Sequence, residues 1–281
     1  MKQYGTVQRF LPEPDQRQEA IYRQFFDMLP GELDKFPTLV GKMEVMLALG
    51  MIFRGVALCQ QLTDRYGSAI IGGPFKGQRP FPEGIRPSGA MILTGMYEHQ
   101  LHPAFERIIA TPYDTIINIG CAEGLYAVGL ALKMPNVRVI AADIDPEMQR
   151  RTRAMAEYNN VADRITIIGE VTHANLDNLV QGRTLVICDI EGGEETLLDA
   201  ALVPALARCD MIVELHEVFK PGIFDIMQQR FGTTHTIERV EPYTGTPSLP
   251  DEFRYLTELE RMLLTFEGRQ GYTPWGLYWA K

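Results

Sequence analysis

Apolar residues follow two rhythms along this chain. Between positions 18 and 66 they recur at helical spacing. Ile21, Phe25, Met28 and Leu29 share one face over 18–29, and Pro30-Gly31 is expected to end that helix. A longer, more apolar helix is expected over 39–66, interrupted or closely packed at Gly41, Gly50 and Gly55. From position 115 onward, short β-branched runs bounded by turn formers alternate with helical stretches. Strands are expected at 115–119, 136–142, 164–169 and 184–188, within 207–215, and at 233–241 and 276–280. Helices are expected from Leu125, over 147–158, from Glu194 with a break at Pro204, and over 251–266. Another is expected to begin at Tyr97-Glu98-His99 and run towards the first strand. The fold class is therefore α/β with an N-terminal helical extension. Residues 1–90 form the extension and a loop, and 91–281 form the α/β domain.

The segment DTIINIGCAEGLYAVGLALK at 114–133 sets the chemistry. A buried strand breaks at Gly120 and turns into a helix after Gly124. Such a turn leaves free backbone N–H groups at the helix start and lets a ligand approach the main chain. That is a nucleotide or nucleoside pocket. A dinucleotide turn needs three glycines spaced G-x-G-x-x-G, and here Ala122 stands where the middle one would be. Asp143 lies at the end of the second strand, about 20 residues beyond the loop, where a carboxylate can accept both hydroxyls of a ribose. Asp145 has a structural role instead, as the N-cap before Pro146 and Glu147. Glu170, after the third strand, is placed to border an adenine.

Residues 67–90 are dense in Gly and Pro and hold Phe75, Lys76, Arg79, Phe81 and Arg86. A loop of that length is usually functional or disordered. It is expected to cover the substrate side, with Phe75, Phe81 and Arg86 nearest the acceptor and an arginine, Arg79 or Arg86, available for a carboxylate.

Charge and composition narrow the class. A net charge of −9 argues against a polyanionic partner such as nucleic acid. Cys59, Cys121, Cys188 and Cys209 are scattered with no C-x-x-C pair, which favours reduced core thiols over zinc or disulfides. The first residues lack a signal-peptide core, and the longest uncharged apolar run, 45–53, is too short to span a bilayer. A cytoplasmic location without membrane contact is expected, with the N-terminal helices available for a homo-oligomer.

Four motifs in order resemble those of the FkbM family of class I S-adenosylmethionine (SAM) methyltransferases. They are NIGCAEG at 118–124, VIAADIDP at 139–146, DIEGGE at 189–194 and ELH at 214–216. The resemblance covers about 94–220 and implies a seven-stranded, mostly parallel Rossmann-like methyltransferase sheet with an antiparallel last strand. It implies SAM held by Asn118, Gly120, Cys121, Ala122, Glu123, Gly124, Asp143, Ile144, Glu170 and Asp189. The implied reaction is methylation of a hydroxyl on a small molecule, sugar or secondary metabolite. His216, Glu214 and Glu191 are the catalytic candidates, with His216 as general base because imidazole titrates near neutrality. His99, His102 and His173 are weaker candidates. Asp189, Glu191, Glu214 and His216 also form a donor set for a divalent metal, a reading placed behind the metal-free one. A non-catalytic SAM-binding protein would keep the glycine turn but need no base. An NAD-dependent dehydrogenase stands further off, because the turn lacks its middle glycine.

Overall fold

A computed structural model describes residues 16–80, 88–242, 249–269 and 271–281. Phe81 and Arg86 lie outside the described residues. Helices α1 (Gln16–Asp34) and α2 (Leu39–Tyr66) form a hairpin, followed by α3 (Gly89–Thr94) and α4 (His102–Ile109). The α/β part runs β1 (Thr115–Ile119), α5 (Leu125–Lys133), β2 (Arg138–Ala142), α6 (Pro146–Tyr158), β3 (Ile165–Ile168) and α7 (His173–Leu179). It continues with β4 (Thr184–Cys188), α8 (Glu194–Leu197), β5 (Asp210–Glu214), α9 (Ile223–Phe231), β6 (His235–Val240), α10 (Glu258–Leu263) and β7 (Trp275–Ala280).

The seven strands make one sheet in the order β3-β2-β1-β4-β5-β7-β6. Strands β1 to β5 pair in parallel, and β7 inserts antiparallel between β5 and β6. This is the expected seven-stranded α/β sheet. Its order reverses between β1 and β4, the switch point beyond whose carboxyl ends ligands bind in open α/β sheets. Strands β1, β4 and β5 are buried along their whole length because both sheet faces carry packing layers. Ile116, Leu185 and Ile212 face a layer with Phe105, Leu130 and Met155, while Ile117, Val186 and Met211 face Leu176, Met227 and Phe231.

Several expectations are corrected. Helix α1 runs through Pro30 to Asp34 instead of stopping there. Tyr97 and Glu98 precede a short 3-10 turn at His99–Leu101, so α4 itself begins at His102. Helices α7 and α9 occupy stretches without an expected helix, and the expected 251–266 helix shrinks to a 3-10 turn plus α10. Phe75 is core: its ring meets Phe105 at 4.9 Å and Tyr126 at 5.9 Å. Arg79 lies over the Tyr158 ring, and its backbone N–H donates to Asn159 Oδ1. The part of the loop before residue 81 is therefore fastened to α4, α5 and the end of α6.

Helix α2 is continuous, and its C-terminal half buries Leu58 and Leu62 against Leu93 of α3 and Leu263 of α10. Arg54, 19% exposed at its side chain, pairs with Glu260 across that contact. Towards the hairpin turn the helices expose Phe26, Leu39, Val40 and Leu47. By length and composition α2 is apolar enough to cross a membrane, with mean hydropathy 1.6 in its most apolar 18-residue window. The count of uncharged residues missed this, because the single charge at Arg54 cuts the run.

Candidate active site

The site starts at the turn after β1. Gly120 and Gly124 adopt positive φ, +73° and +89°. A Cβ on Gly120 would sit 1.6 Å from the carbonyl oxygen of Asp189, so only glycine lets this turn lie against the end of β4. Ala122 between them is also left-handed, at φ +46°. Asp143 braces it: Oδ2 accepts from the Ala122 N–H at 2.9 Å, and Oδ1 accepts from the Asp145 N–H at 2.9 Å. Thr152 secures the other side by donating to the Ala122 carbonyl at 2.7 Å. Asp145 caps α6 through Glu147 N–H, in line with its structural reading.

A cavity of about 450 Å³ opens beyond these strand ends. Gly120, Ala122, Asp143, Ile144, Glu170 and Asp189 line it, six of the ten residues assigned to SAM, and Glu191 joins them. Ile144 is 79% exposed and offers a bare apolar face at the rim. The other four residues do not line this cavity. Asn118 is buried in β1, with Oδ1 lacking a hydrogen-bond partner among the described residues. Cys121 packs behind the loop near Thr152, and burial pushes its thiol up to about 12. Glu123 turns to Arg151 of α6 at 2.9 Å, and Gly124 caps α5.

A second cavity, of about 320 Å³, shares Asp189 and Glu191 with the first. His216 and Glu214 line it from the end of β5, Tyr97 and Glu98 from before α4, and Glu267, Arg269 and Thr273 from the strap before β7. Val218 and Phe219 give it an apolar wall; the Phe219 ring stacks on His216 at 5.8 Å. The three catalytic candidates are thus brought together. His99 and His173 do not line either cavity, and His102 lines a separate small apolar one.

His216 is 3% exposed and oriented from behind. Its Nδ1 lies 2.9 Å from Glu194 Oε1, which also accepts from the Ile190 and Gly192 N–H groups. Those bonds hold fully buried Glu194 ionised against the cost of burial, so its pKa falls below the usual value. Nδ1–H therefore donates, and Nε2 faces the cavity. There it lies 3.2 Å from Glu191, 3.7 Å from Glu214 and 3.8 Å from Asp189. Burial lowers the imidazole's pKa, but Glu194, Glu214 and Glu191 outweigh it, and the net shift is upward.

Arg269 donates to Glu98 at 2.6 Å, to Glu267 at 2.7 Å and to Glu214. One guanidinium cannot neutralise three carboxylates. Burial and the charge of Glu214 raise Glu98 to about 8 although Arg269 opposes them, and burial with Glu214 raises Asp189 well above its usual value. Glu98 and Glu191 both hold left-handed backbone, φ +47° and +56°, a conformation that costs a non-glycine residue about 1 kcal/mol or more.

Sequence reasoning assigned no role to Glu98, Glu267 or Arg269. Glu194 stood inside the DIEGGE motif, and its spacing from Asp189 was the available signal for it.

No protein-family model matches the chain. Among curated proteins it resembles the ribosomal protein L11 methyltransferase of Erwinia tasmaniensis, 37% identical over 79 residues, covering 28% of this chain and 25% of that protein. The enzyme of the same name from Alkaliphilus metalliredigens is 35% identical over 113 residues, covering 36% and 34%. These matches span only a quarter to a third of the relatives' length. Among solved structures, an O-methyltransferase from Bacillus cereus in complex with S-adenosylhomocysteine (SAH) aligns with TM-score 0.45 and 12% identity, over 82% of this chain and all of that one. The O-methyltransferase TomG from Streptomyces achromogenes, in complex with SAM, aligns with TM-score 0.42 and 13% identity, over 82% and 89%.

Proposed function

We propose that this chain is a class I SAM-dependent methyltransferase that methylates a hydroxyl oxygen of a small molecule. The observation that carries the reading is the pair of cavities at the carboxyl ends of β1, β4 and β5, with Asp189 and Glu191 common to both walls. The first suits a nucleoside: a glycine turn allows close approach, a carboxylate stands at the end of β2, and Ile144 presents an apolar face to a base. Asp143 would hold the ribose hydroxyls with the acceptor capacity its two backbone bonds leave over, and Glu170 would border the adenine. The FkbM resemblance of the motifs agrees with this assignment.

SAM supplies an electrophilic methyl group on a sulfonium sulfur. The chain's part is alignment and charge, since methyl transfer is an in-line displacement. Asp189 and Glu191, between the two cavities, would favour the cationic donor and orient the acceptor. An acceptor hydroxyl must also release its proton, and the group formed by His216, Glu214 and Glu191 is assigned to that step. Its working atom is Nε2 of His216, since Nδ1 is committed to Glu194. That lone pair can take the proton itself, or hold a cation that makes the proton easier to lose.

The curated relatives are named for a ribosomal protein, which supports a protein acceptor as the second reading. The experiment is incubation of the folded chain and methyl-labelled SAM with small-molecule and protein fractions, followed by mass spectrometry. Gain of one methyl in a small hydroxylated compound is expected. Label only in protein selects the second reading, and no label in either fraction overturns both.

A further inference from the structure

We propose that Asp189, Glu214 and His216 form a binding site for one divalent transition-metal ion on the wall of the acceptor cavity. The ion's use in methyl transfer rests on the function proposed above; its binding does not. The ligand atoms of these three side chains all lie within 4.8 Å of one another. Two donors about 2.0–2.3 Å from a shared ion, at 90–110° to each other, stand about 2.8–3.8 Å apart. The separations from His216 Nε2 to Glu214 and Asp189 are 3.7 and 3.8 Å, and to Glu191 3.2 Å.

An acidic cluster alone would carry nothing, but two atoms in it have no hydrogen-bond partner among the described residues, and one of them is buried. His216 Nε2, on a side chain only 3% exposed, makes no hydrogen bond among the described residues, although three carboxylates surround it. Asp189 Oδ1, the atom 3.8 Å from Nε2, is buried without a hydrogen-bond partner among the described residues. Both point at the same space. A buried carboxylate oxygen is costly to leave unpaired, and one cation would satisfy it together with the imidazole lone pair.

The rest of each ligand is already tied down. His216 gives Nδ1–H to Glu194, the carboxylate–histidine arrangement that fixes tautomer and ring orientation around bound metals. Glu214 gives Oε1 to Arg269 and turns Oε2 towards Nε2. Asp189 follows β4 directly, so its position is set by the sheet. One imidazole with two carboxylates suits Mn²⁺ or Zn²⁺ better than Mg²⁺ or Ca²⁺, which take oxygen donors. An acceptor hydroxyl sharing the ion would lose its proton to Glu191, 77% exposed at its side chain and open to water. The oxygen then forms its bond to the methyl carbon, and the electron pair of the broken C–S bond stays on sulfur.

The test is titration of Mn²⁺ alone into the full chain, read by loss of the free-ion electron paramagnetic resonance signal, with SAM affinity measured separately by calorimetry. One tightly bound Mn²⁺ per chain is expected. His216→Gln and Glu214→Gln should each weaken it at least about tenfold, and Glu194→Gln about 10- to 100-fold by releasing the ring. Glu214 does not line the donor cavity, so Glu214→Gln should keep its SAM affinity, which also reports that it is folded. Absence of saturable Mn²⁺ and Zn²⁺ binding in a folded chain overturns the proposal, as does binding unaffected in all three variants. SAM binding without metal binding removes this site and leaves the methyltransferase reading standing; metal binding without SAM binding does the reverse.

Discussion

Asp143 joins the loop to the ligand assignment, and replacing it separates two effects by their size. Its carboxylate accepts one hydrogen bond from Ala122 N–H and one from Asp145 N–H, each at 2.9 Å. Asp143→Ala removes both, so Ala122 loses the partner that holds it at φ +46°. A hydrogen bond to a charged group is worth about 1.5–3 kcal/mol, and less where water can replace it, as at this half-buried side chain. The expected loss of folding stability is about 1–3 kcal/mol. SAM binding should fall by a further 1–3 kcal/mol or so from the lost ribose contact, about 5- to 150-fold in Kd. Asp143→Asn keeps one acceptor oxygen, so it can serve one backbone N–H and not both. Its losses should lie between those of the wild type and the alanine variant. Calorimetric titration of SAM and urea unfolding measure the two terms separately. SAM affinity unchanged in folded Asp143→Ala protein refutes the ribose assignment; unchanged stability refutes the brace.

Three further perturbations have expected outcomes. Gly120→Ala places a Cβ 1.6 Å from a backbone oxygen at φ +73°, so urea unfolding should show a loss of several kcal/mol or no folded protein; a loss under about 1 kcal/mol would contradict the close approach. Glu98 stays protonated in the fold up to about 8, whereas the unfolded chain ionises it near the ordinary 4.5. The unfolded state then holds fewer protons, so stability is greatest below the unfolded value and declines as pH rises towards 8, by a few kcal/mol at most. Glu98→Gln should flatten that decline in unfolding curves taken from pH 5 to 8, and an unaltered pH dependence would show that Glu98 is ionised throughout. Arg269→Met strands the Glu214 and Glu267 carboxylates and takes a donor from Glu98, and should cost about 3 kcal/mol or more in thermal or urea unfolding. If Arg269→Met melts like the wild type, the carboxylates do not depend on the guanidinium.

The parts of this molecule that could be read from its sequence are those where local pattern and burial coincide. β1 and β4 have the bounds expected of them because a β-branched run buried on both faces ends sharply at turn residues. Helix α7 was not visible because its one buried residue is Leu176, which leaves no periodic stripe. Helix α1 outlasts Pro30 because its turns pack on α2, and tertiary contact overrides a local stop signal. At the site, Asp143, Asp189, Glu191, Glu214 and His216 were readable because each closes a strand. Glu98 and Arg269 were not, since they meet across 171 positions and neither falls in a patterned element. The second use of Asp143, bracing Ala122, emerges only once the loop's left-handed backbone is seen.

The central claim is that the cavity beyond β1, β2 and β4 binds SAM, and calorimetric titration of SAM into the wild-type chain, with NAD as the comparison, tests it most directly. Saturable one-to-one SAM binding, displaced by SAH and absent with NAD, is the predicted result. A folded chain that takes up NAD, or no detectable SAM at millimolar ligand, would contradict it.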